Sequence, residues 1–516
     1  MLRLTLDLVN FDYKKNSSVI KKFLRHVPKK EVFVSAVVGL AANKKKVKSF
    51  GVKKVCGTGG SLLYDTDVFI SFGDCDYVNI AAFLVKKNIF SVCYKETKKT
   101  NCFDLTIDDD SLFRWKYINE RYNRCIKKTE KKNINKRMKI AFVTPLAKKS
   151  AIAEYSVLTL KEFCKMADVD VYSLEKNYKN NFGAKNVFYL TPFPYLSNDY
   201  DAVITVVGDS PFHDKMLRFC MLYGGYTICH DANLLHYSYA EFGPQYLKNV
   251  SKFYHNKTVD DKDIMFYLQN FDKIQFTAIE PVIESSRVMF THSKVFADSA
   301  KSSNVKYLPF CVHADIDTSK LNDAYKKQAK QELGFKETDI IITSFGNINK
   351  QKMSDLIATA FMKADLPDNV YLVFVGNNAY YQDFAKVVEQ CNHIKYFTDF
   401  VPTDIYNKYL YASDFSIQLR NSTNGQVSGA LADNIQAKLY TISCRDLTES
   451  IEAPSYIHPL PKKFSVSDLT KEIKNILDTK IYTKDFSKEC EEYLSKHNFR
   501  TYAELLLEYL KGDKNE

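Results

Sequence analysis

A run of small and polar residues at 419–433 has the composition of an anion site. It reads LRNSTNGQVSGALAD, follows an apolar stretch at 415–419, and reaches a candidate helix start at Ser428. Serine is a favoured N-cap, and the free N–H groups and positive end of a helix attract anions such as a diphosphate. Asp433 follows about five residues later, roughly 7 Å along the axis at 1.5 Å per residue. Its carboxylate could therefore reach the hydroxyls of a ribose attached to that diphosphate.

A second turn with cations lies upstream, at residues 344–352. Its sequence, SFGNINKQK, places Gly346 after a candidate strand and ends at Lys352. A lysine can neutralise a phosphate as a compact point charge. We therefore expect Lys352 to contact the same diphosphate as the helix that starts at Ser428.

These turns need a scaffold, and the chain from residue 138 onward predicts one. Short apolar segments alternate with helical ones, which is typical of parallel sheets covered by helices. The candidate strands are residues 138–145, 169–172, 186–190, 202–207, 226–229, 288–291 and 305–308, then 340–345, 370–375, 394–397, 415–419 and 439–443. Two series predict two Rossmann-like domains, whose ligands would bind in a cleft outside the carboxyl ends of the strands.

The first quarter of the chain also has an α/β pattern, with candidate strands at 32–37, 68–72 and 89–94. Residues 64–74 resemble residues 200–209, which raises the hypothesis that this quarter is a degenerate Rossmann-like copy. The glycine-rich residues 56–61 lack a dinucleotide or P-loop spacing and are interpreted as a plain turn. The predicted domains are a basic α/β domain at 1–136, a first Rossmann-like domain at 137–318, a second at 319–482 and a terminal helix at 483–516.

The net charge is unevenly distributed. The 516 residues carry a formal charge of +12, yet residues 1–139 alone hold 30 Lys and Arg against 14 Asp and Glu. Such an excess could meet an anionic membrane surface, a nucleic acid or an acidic substrate, or be a solvated lysine-rich face. A nucleic acid is the least favoured of these partners, because the sequence contains no recognised module with spaced aromatic and basic residues.

Composition excludes several classes of protein. Hydrophobic residues make up 45% and charged residues 26% of the chain, which is ordinary for packed domains and argues against disorder, collagen or coiled coil. No apolar run has the length of a membrane span, and the start lacks a secretory pattern. We expect a cytoplasmic protein, peripheral at the inner face of a membrane. The twelve cysteines are scattered without zinc-ligand spacing, so we expect reduced core cysteines and no metal site built from them. We expect no other metal and no cofactor.

Several motifs in fixed order carry a resemblance to a known family. The second half contains them at 345–361, 373–376, 409–420 and 425–433, and the first half at 138–156, 200–213 and 228–237. In this order they resemble family 4 glycosyltransferases, retaining enzymes of the GT-B fold, over about residues 138–510. The resemblance implies metal-independent transfer of a sugar from a UDP- or GDP-linked donor to a glycan, lipid-linked or protein acceptor. It also implies a terminal helix that crosses back to the first GT-B domain.

The resemblance also assigns residues to roles. His230 would lie near the sugar and acceptor, with Asp231 and His213 as second-rank catalytic candidates. An acceptor-side loop would comprise Ser150, Ala151, Glu154 and Tyr155. The donor-binding residues would be Gly346, Asn347, Lys352, Arg420, Gln426, Ser428, Gly429, Ala430 and Asp433.

Departures from the family pattern leave an alternative open. Gln426 stands where the family has Glu, and an amide cannot supply a negative charge or accept a proton. Lys438 replaces a usual glycine, and Ser150 with Ala151 replaces a glycine pair. The alternative to an active transferase is a catalytically silent relative that serves as a binding or scaffold protein.

Overall fold

The computed structural model describes most of the chain. The described residues are 1–9, 11, 13–57, 66–72, 89–95, 103–126, 137–147, 150–175, 178–196, 200–213, 215–270, 273–312, 316–378, 383–389, 391–421 and 425–512. The lysine cluster at 127–136 and most of the glycine-rich segment 56–61 lie outside them, as does the loop at 422–424.

Three groups of strands follow one another along the chain. The first group is β1 (Leu2–Leu8), β2 (Val32–Val38), β3 (Lys54–Cys56), β4 (Val68–Phe72), β5 (Phe90–Tyr94) and β6 (Leu105–Ile107). The second is β7 (Lys139–Val143), β8 (Asp168–Ser173), β9 (Asn186–Tyr189), β10 (Ala202–Val207), β11 (Tyr226–Cys229), β12 (Val288–Thr291) and β13 (Val305–Tyr307). The third is β14 (Ile340–Phe345), β15 (Val370–Val375), β16 (Ile394–Tyr396), β17 (Phe415–Gln418), β18 (Thr441–Cys444) and β19 (Ile457–Leu460).

Helices connect the strands. In the first half they are α1 (Tyr13–Arg25), α2 (Lys44–Lys48), α3 (Trp115–Ile126), α4 (Ala151–Met166), α5 (Phe193–Leu196), α6 (Met216–Tyr223), α7 (Leu235–His255), α8 (Asp261–Gln269), α9 (Glu280–Ser285) and α10 (Lys294–Ser299). In the second half they are α11 (Asp323–Glu332), α12 (Ser354–Lys363), α13 (Phe384–Val388), α14 (Thr403–Ala412), α15 (Gly429–Gln436), α16 (Arg445–Ser450), α17 (Val466–Thr479), α18 (Ser487–Lys496) and α19 (Phe499–Gly512).

Each group of strands forms its own sheet, and all three sheets share one strand order. The orders are β3-β2-β1-β4-β5-β6, then β9-β8-β7-β10-β11-β12-β13, then β16-β15-β14-β17-β18-β19. The first strand of each group lies beside the fourth, and these central pairs are parallel. This is the doubly wound order of a Rossmann-like sheet, in which ligands bind where the order reverses, at the carboxyl ends of the strands. The predicted α/β fold class is confirmed.

The chain divides into two compact units. Unit 1 comprises residues 1–268, 275–290 and 301–306 and holds the first sheet and nearly all of the second. Unit 2 comprises residues 269–274, 291–300 and 307–516 and holds the third sheet and the last two helices. The terminal amphipathic stretch, predicted as one helix, is two helices, since α18 ends at Lys496 and α19 begins at Phe499.

The strand β1 is central to the first sheet, although its sequence, LRLTLDL, alternates as if one face were exposed. Thr5 and Asp7 are nevertheless buried, at 1% and 8% exposure. The hydroxyls of Thr5 and Thr66 lie 2.7 Å apart, and Ser71 donates a hydrogen bond to Asp7 at 3.4 Å. These polar partners on the neighbouring chain segments allow the polar face of the strand to be buried.

No helix among the described ranges is both long and apolar enough to cross a membrane.

Candidate functional site

The turn after β14 places Lys352 against the backbone. The Lys352 ammonium donates a hydrogen bond to the carbonyl of Phe345 at 2.9 Å. Gly346 has φ +94°, and a Cβ built there would lie 2.0 Å from Lys352 Nζ. A Cβ on Gly376 would in turn lie 2.1 Å from the carbonyl oxygen of Gly346. The two glycines therefore allow the backbone and the lysine to approach each other closely.

The environment of Lys352 disfavours its charge. Burial, and secondarily the positive charge of Arg420, lowers the Lys352 pKa from 10.5 to about 7, against a smaller opposing effect of the Asp433 carboxylate. An anion bound at this place would favour the charged ammonium again. The lysine is thus positioned to respond to a bound phosphate.

Arg420 and Gln426 form a second polar contact near this turn. Arg420 follows β17, and its Nη1 donates a hydrogen bond to Gln426 Oε1. The Arg420 backbone N–H points to Cys444 Sγ at 3.2 Å. The guanidinium is therefore held by an amide oxygen, which accepts a hydrogen bond and carries no charge.

Helix α15 begins where the sequence predicts. Ser428 is its N-cap, and the Leu431 N–H donates to Ser428 Oγ at 3.3 Å. An added Cβ at Gly429 would meet no described atom within 4 Å, so there is open space at the first turn. Ala430 is partly buried against the core of the unit. The helix start thus offers backbone N–H groups beside an open volume.

Asp433 lies one turn further along α15 and is held by Tyr406. The Tyr406 hydroxyl donates to Asp433 Oδ2 at 2.8 Å, and its ring lies 4.9 Å from that of Phe345. Burial and the adjacent carboxylate raise the Tyr406 pKa well above its usual value, so the hydroxyl keeps its proton. Asn347, also predicted for this site, is exposed beside Gly346. Unit 2 thus gathers the predicted donor-site residues around the ends of β14 and β17.

A separate group lies in unit 1, at the ends of β10 and β11. Asp231 Oδ2 accepts a hydrogen bond from the Asp209 N–H at 2.7 Å. A Cβ on Gly208 would lie 2.6 Å from Ile152 and 2.9 Å from the ring of His213. Asp231 therefore fixes one strand-end loop to the other, and Gly208 permits their close approach.

The two predicted histidines differ in exposure. His213 is fully buried, its Nδ1 lies 3.0 Å from Ser210 Oγ, and its Nε2 has no hydrogen-bond partner among the described residues. Burial lowers the His213 pKa to about 4, so the ring is neutral near pH 7. His230 is half-buried, with its ring edge-on to Tyr155 at a centroid distance of 5.2 Å. Only His230 of the two has partial access to solvent.

The start of α4 holds the predicted acceptor-side residues. Ser150 is the N-cap, and its hydroxyl accepts from the Ala153 N–H at 3.2 Å. Ala151 and Glu154 are exposed, whereas Tyr155 is buried beneath them. The helix start therefore presents a small residue and a carboxylate to solvent.

Sequence reasoning did not single out Asp209 and His236, although both lie in the motifs quoted above. Asp209 accepts from the Tyr237 N–H at 2.7 Å, and its second oxygen lies 3.3 Å from His236 Nδ1. His236 Nε2 faces the Leu268 carbonyl at 2.9 Å. The carboxylate and the carbonyl both accept, so the ring is satisfied when both nitrogens carry protons. The hydrogen bond to Asp209 accordingly raises the His236 pKa.

Within the described part of the chain, no group of three His, Cys, Asp or Glu side chains is placed to hold a metal ion. Neither a comparison with protein-family models nor one with curated proteins finds a match.

Solved structures with a similar fold do exist. Over the matched 73% of the chain, the shared fold is the α/β fold with two Rossmann-like domains that is called GT-B. Sucrose-phosphate synthase from Thermosynechococcus elongatus is similar at TM-score 0.50 and 12% identity, over 73% of this chain and 99% of that one. A glycosyltransferase from Rickettsia africae is similar at TM-score 0.50 and 13% identity, over 73% and 98%. About a quarter of this chain lies outside each match.

Proposed function

We propose that this protein is a glycosyltransferase that moves a sugar from a nucleotide-sugar donor to a glycan, lipid-linked or protein acceptor. The observation that carries the proposal is the arrangement in unit 2: Lys352 against Gly346, beside a helix capped by Ser428, at the strand ends of a GT-B fold. Retention of configuration at the anomeric carbon, as in family 4, belongs to the proposal.

The chemistry follows from the charge that develops on the leaving group. When the bond to the sugar breaks, the nucleoside diphosphate gains negative charge. Lys352 and the free N–H groups at the start of α15 supply positive charge and hydrogen bonds to it, a role that needs no metal ion. Asp433, held by Tyr406 at 2.8 Å, would accept hydrogen bonds from the ribose hydroxyls.

Unit 1 supplies the acceptor side in this proposal. His230 is the preferred catalytic candidate because it is only half-buried. His213 and Asp231 act as positioning residues, since His213 is fully buried and Asp231 ties the loop of Asp209 to its own. The basic first domain would keep the protein at the inner face of an anionic membrane, where lipid-linked acceptors are found.

One observation favours the second candidate, a silent glycosyltransferase-like scaffold. Gln426 offers only an amide oxygen to Arg420. A carboxylate at this position would balance the guanidinium charge, and an amide does not. The two candidates differ in whether a bound donor turns over.

The distinguishing experiment incubates the protein with a panel of UDP-, GDP- and CMP-sugars and measures nucleotide release. We expect release with one donor, a rate at least tenfold lower for Lys352→Met, and little loss for Gln426→Glu. Binding of a nucleotide without release in the presence of any acceptor would establish the scaffold instead. Neither binding nor release with any donor would refute both candidates.

A further inference from the structure

The excess charge of the chain is concentrated in one stretch of the first domain. Residues 13–57 contain 13 Lys and Arg and a single acidic residue, Glu31. The difference equals the +12 of the whole protein. Twelve of the 13 cations are lysines, the exception being Arg25. The excess positive charge therefore lies on the two crossover connections β1-α1-β2 and β2-α2-β3.

These two crossovers lie on one face of the sheet. The strand order β3-β2-β1 means that both connections step in the same direction, and right-handed crossovers then place α1 and α2 on the same side. Side-chain contacts agree: the rings of Tyr13 and Phe50 stack at 6.4 Å. Lys46 of α2 lies over Tyr13 at 5.4 Å, and Lys21 of α1 lies over Phe50 at 5.7 Å. We call this surface, formed by α1, α2 and the segments that follow them, the lysine face.

The cations of the lysine face are exposed and unpaired with acids. None of the exposed members forms an ion pair with a carboxylate among the described residues. They are Lys21, Lys22, Arg25, Lys29, Lys30, Lys45, Lys46, Lys48, Lys53 and Lys54. Elsewhere exposed lysines do pair, for example Lys165 with Glu162 at 2.7 Å and Lys408 with Glu332 at 3.0 Å. The lysine face thus concentrates positive charge that no ion pair among the described residues neutralises.

The face is also fixed to the rest of unit 1. Glu284 of α9 accepts hydrogen bonds from the Gly57 N–H and the Tyr254 hydroxyl, both at 2.6 Å. Lys44, at the start of α2, lies over the ring of Phe253 at 3.6 Å. Phe253 belongs to the hydrophobic core of the first domain. The first domain therefore packs against the helices α7 and α9 of unit 1, and we expect the lysine face to move with the acceptor-side residues.

We propose that the lysine face docks unit 1 onto an anionic lipid bilayer, which deepens the membrane partner of the proposed function. A bilayer suits these residues because lysine is a point charge without the bidentate geometry of arginine. Attraction to a diffuse anionic surface requires positive charge and no bidentate hydrogen bonding. The rings of Tyr13 and Phe50, which belong to the described part of the face, lie beneath lysines and are therefore not presented for stacking on bases. Fixed attachment would hold the acceptor-side residues at a constant height above lipid-linked acceptors.

The test measures vesicle binding of the full chain. Vesicles of phosphatidylcholine with about 30% phosphatidylglycerol are compared with pure phosphatidylcholine. The variant is Lys22→Glu/Lys45→Glu/Lys48→Glu, all exposed positions of the face. Its matched control is Lys463→Glu/Lys471→Glu/Lys474→Glu, which changes the same charge at exposed positions of unit 2.

We expect binding only to anionic vesicles, weakened by salt, reduced about a hundredfold or more in the face variant and little changed in the control. Equal loss in both variants, equal binding to neutral vesicles, or tighter binding to duplex RNA or DNA at the same salt would overturn the proposal. Vesicle binding is measured without nucleotide, and nucleotide binding without vesicles. Failure of the membrane-docking proposal is therefore distinguishable from failure of the proposed glycosyltransferase function.

Discussion

At the scale of single residues, the proposed binding of a diphosphate depends most on Lys352. It is a lysine whose ammonium is buried against the Phe345 carbonyl and repelled by Arg420, which lowers its pKa to about 7. Such an environment costs stability in the free protein unless a bound anion compensates. This is the arrangement expected of a phosphate-binding lysine, and it gives a pH dependence with a definite sign.

Nucleotide binding is predicted to take up a proton above neutral pH. Lys352 is charged below pH about 7 and neutral above it in the free protein, whereas a bound diphosphate returns its pKa toward the ordinary 10.5. The contribution of Lys352 to the affinity should be constant below pH 7 and fall as the pH rises above it, by up to about tenfold per unit. Calorimetry at pH 8 in two buffers of different ionisation enthalpy counts the proton.

The neighbouring Lys350 supplies the control for this experiment. Lys350 is exposed, so Lys350→Met should keep the proton uptake, and Lys352→Met should abolish it. Equal heats in the two buffers for the unaltered protein would contradict the account of Lys352.

Much of the proposed donor site could be predicted from the sequence, because the types of single residues were informative. Lys352, Ser428 and Asp433 could be named because helix caps and phosphate-binding lysines have local signatures in sequence. The partner Tyr406 could not, since it contacts Asp433 from 27 residues away in another helix. Asp209 and His236 were missed for the same reason, because their contact forms only when β10 and α7 pack together.

At the scale of elements, two glycines near the site, Gly376 and Gly429, differ in the space available for a side chain. A side chain at Gly376 would collide with the Gly346 backbone, whereas one at Gly429 would point into open space at the first turn of α15. The first position is thus constrained by the fold. The second is constrained only if a ligand occupies that space.

Alanine at these two positions should separate folding from binding. Gly376→Ala should destabilise the protein by about 1–3 kcal/mol, the usual cost of overpacking. Gly429→Ala should leave the unfolding temperature nearly unchanged and weaken nucleotide binding about tenfold or more. Thermal unfolding and calorimetry on both variants check this, and unaltered nucleotide affinity in Gly429→Ala would place the ligand elsewhere.

Element prediction succeeded where strands are continuous apolar runs. Residues 202–207, 226–229, 288–291, 340–345 and 370–375 were predicted with the bounds that the structure has. It failed for β1, whose polar residues are buried through partners on neighbouring segments such as Thr66. The break between α18 and α19 was likewise not signalled by the amphipathic pattern, which continues across it.

At the scale of the whole molecule, the basic first domain is more than an appended module. Its core includes Phe253 of α7, and its Gly57 N–H donates to the partly buried carboxylate of Glu284. Deleting residues 1–130 would expose these groups, so the deletion would impair folding as well as the membrane docking proposed above. Point substitutions are the cleaner probe.

Glu284→Ala should loosen this attachment. The change removes the acceptor of two short hydrogen bonds and leaves the half-buried Tyr254 hydroxyl without this partner, which should cost about 3 kcal/mol. The single tryptophan, Trp115, is buried in the first domain, so its fluorescence reports unfolding there. Asp261→Ala, which removes an exposed carboxylate paired with Lys248, is the control and should cost less than about 1 kcal/mol. Equal unfolding midpoints for the two variants would argue against the attachment.

The central claim is that unit 2 binds the diphosphate of a nucleotide sugar through Lys352 and the start of α15. Calorimetric titration of UDP, GDP and their sugars into the unaltered protein and into Lys352→Met at pH 7 tests it most directly. We expect one nucleotide to bind the unaltered protein and to bind Lys352→Met at least tenfold more weakly. Binding of equal strength to both proteins, or no binding of any nucleotide to the unaltered protein, would contradict it.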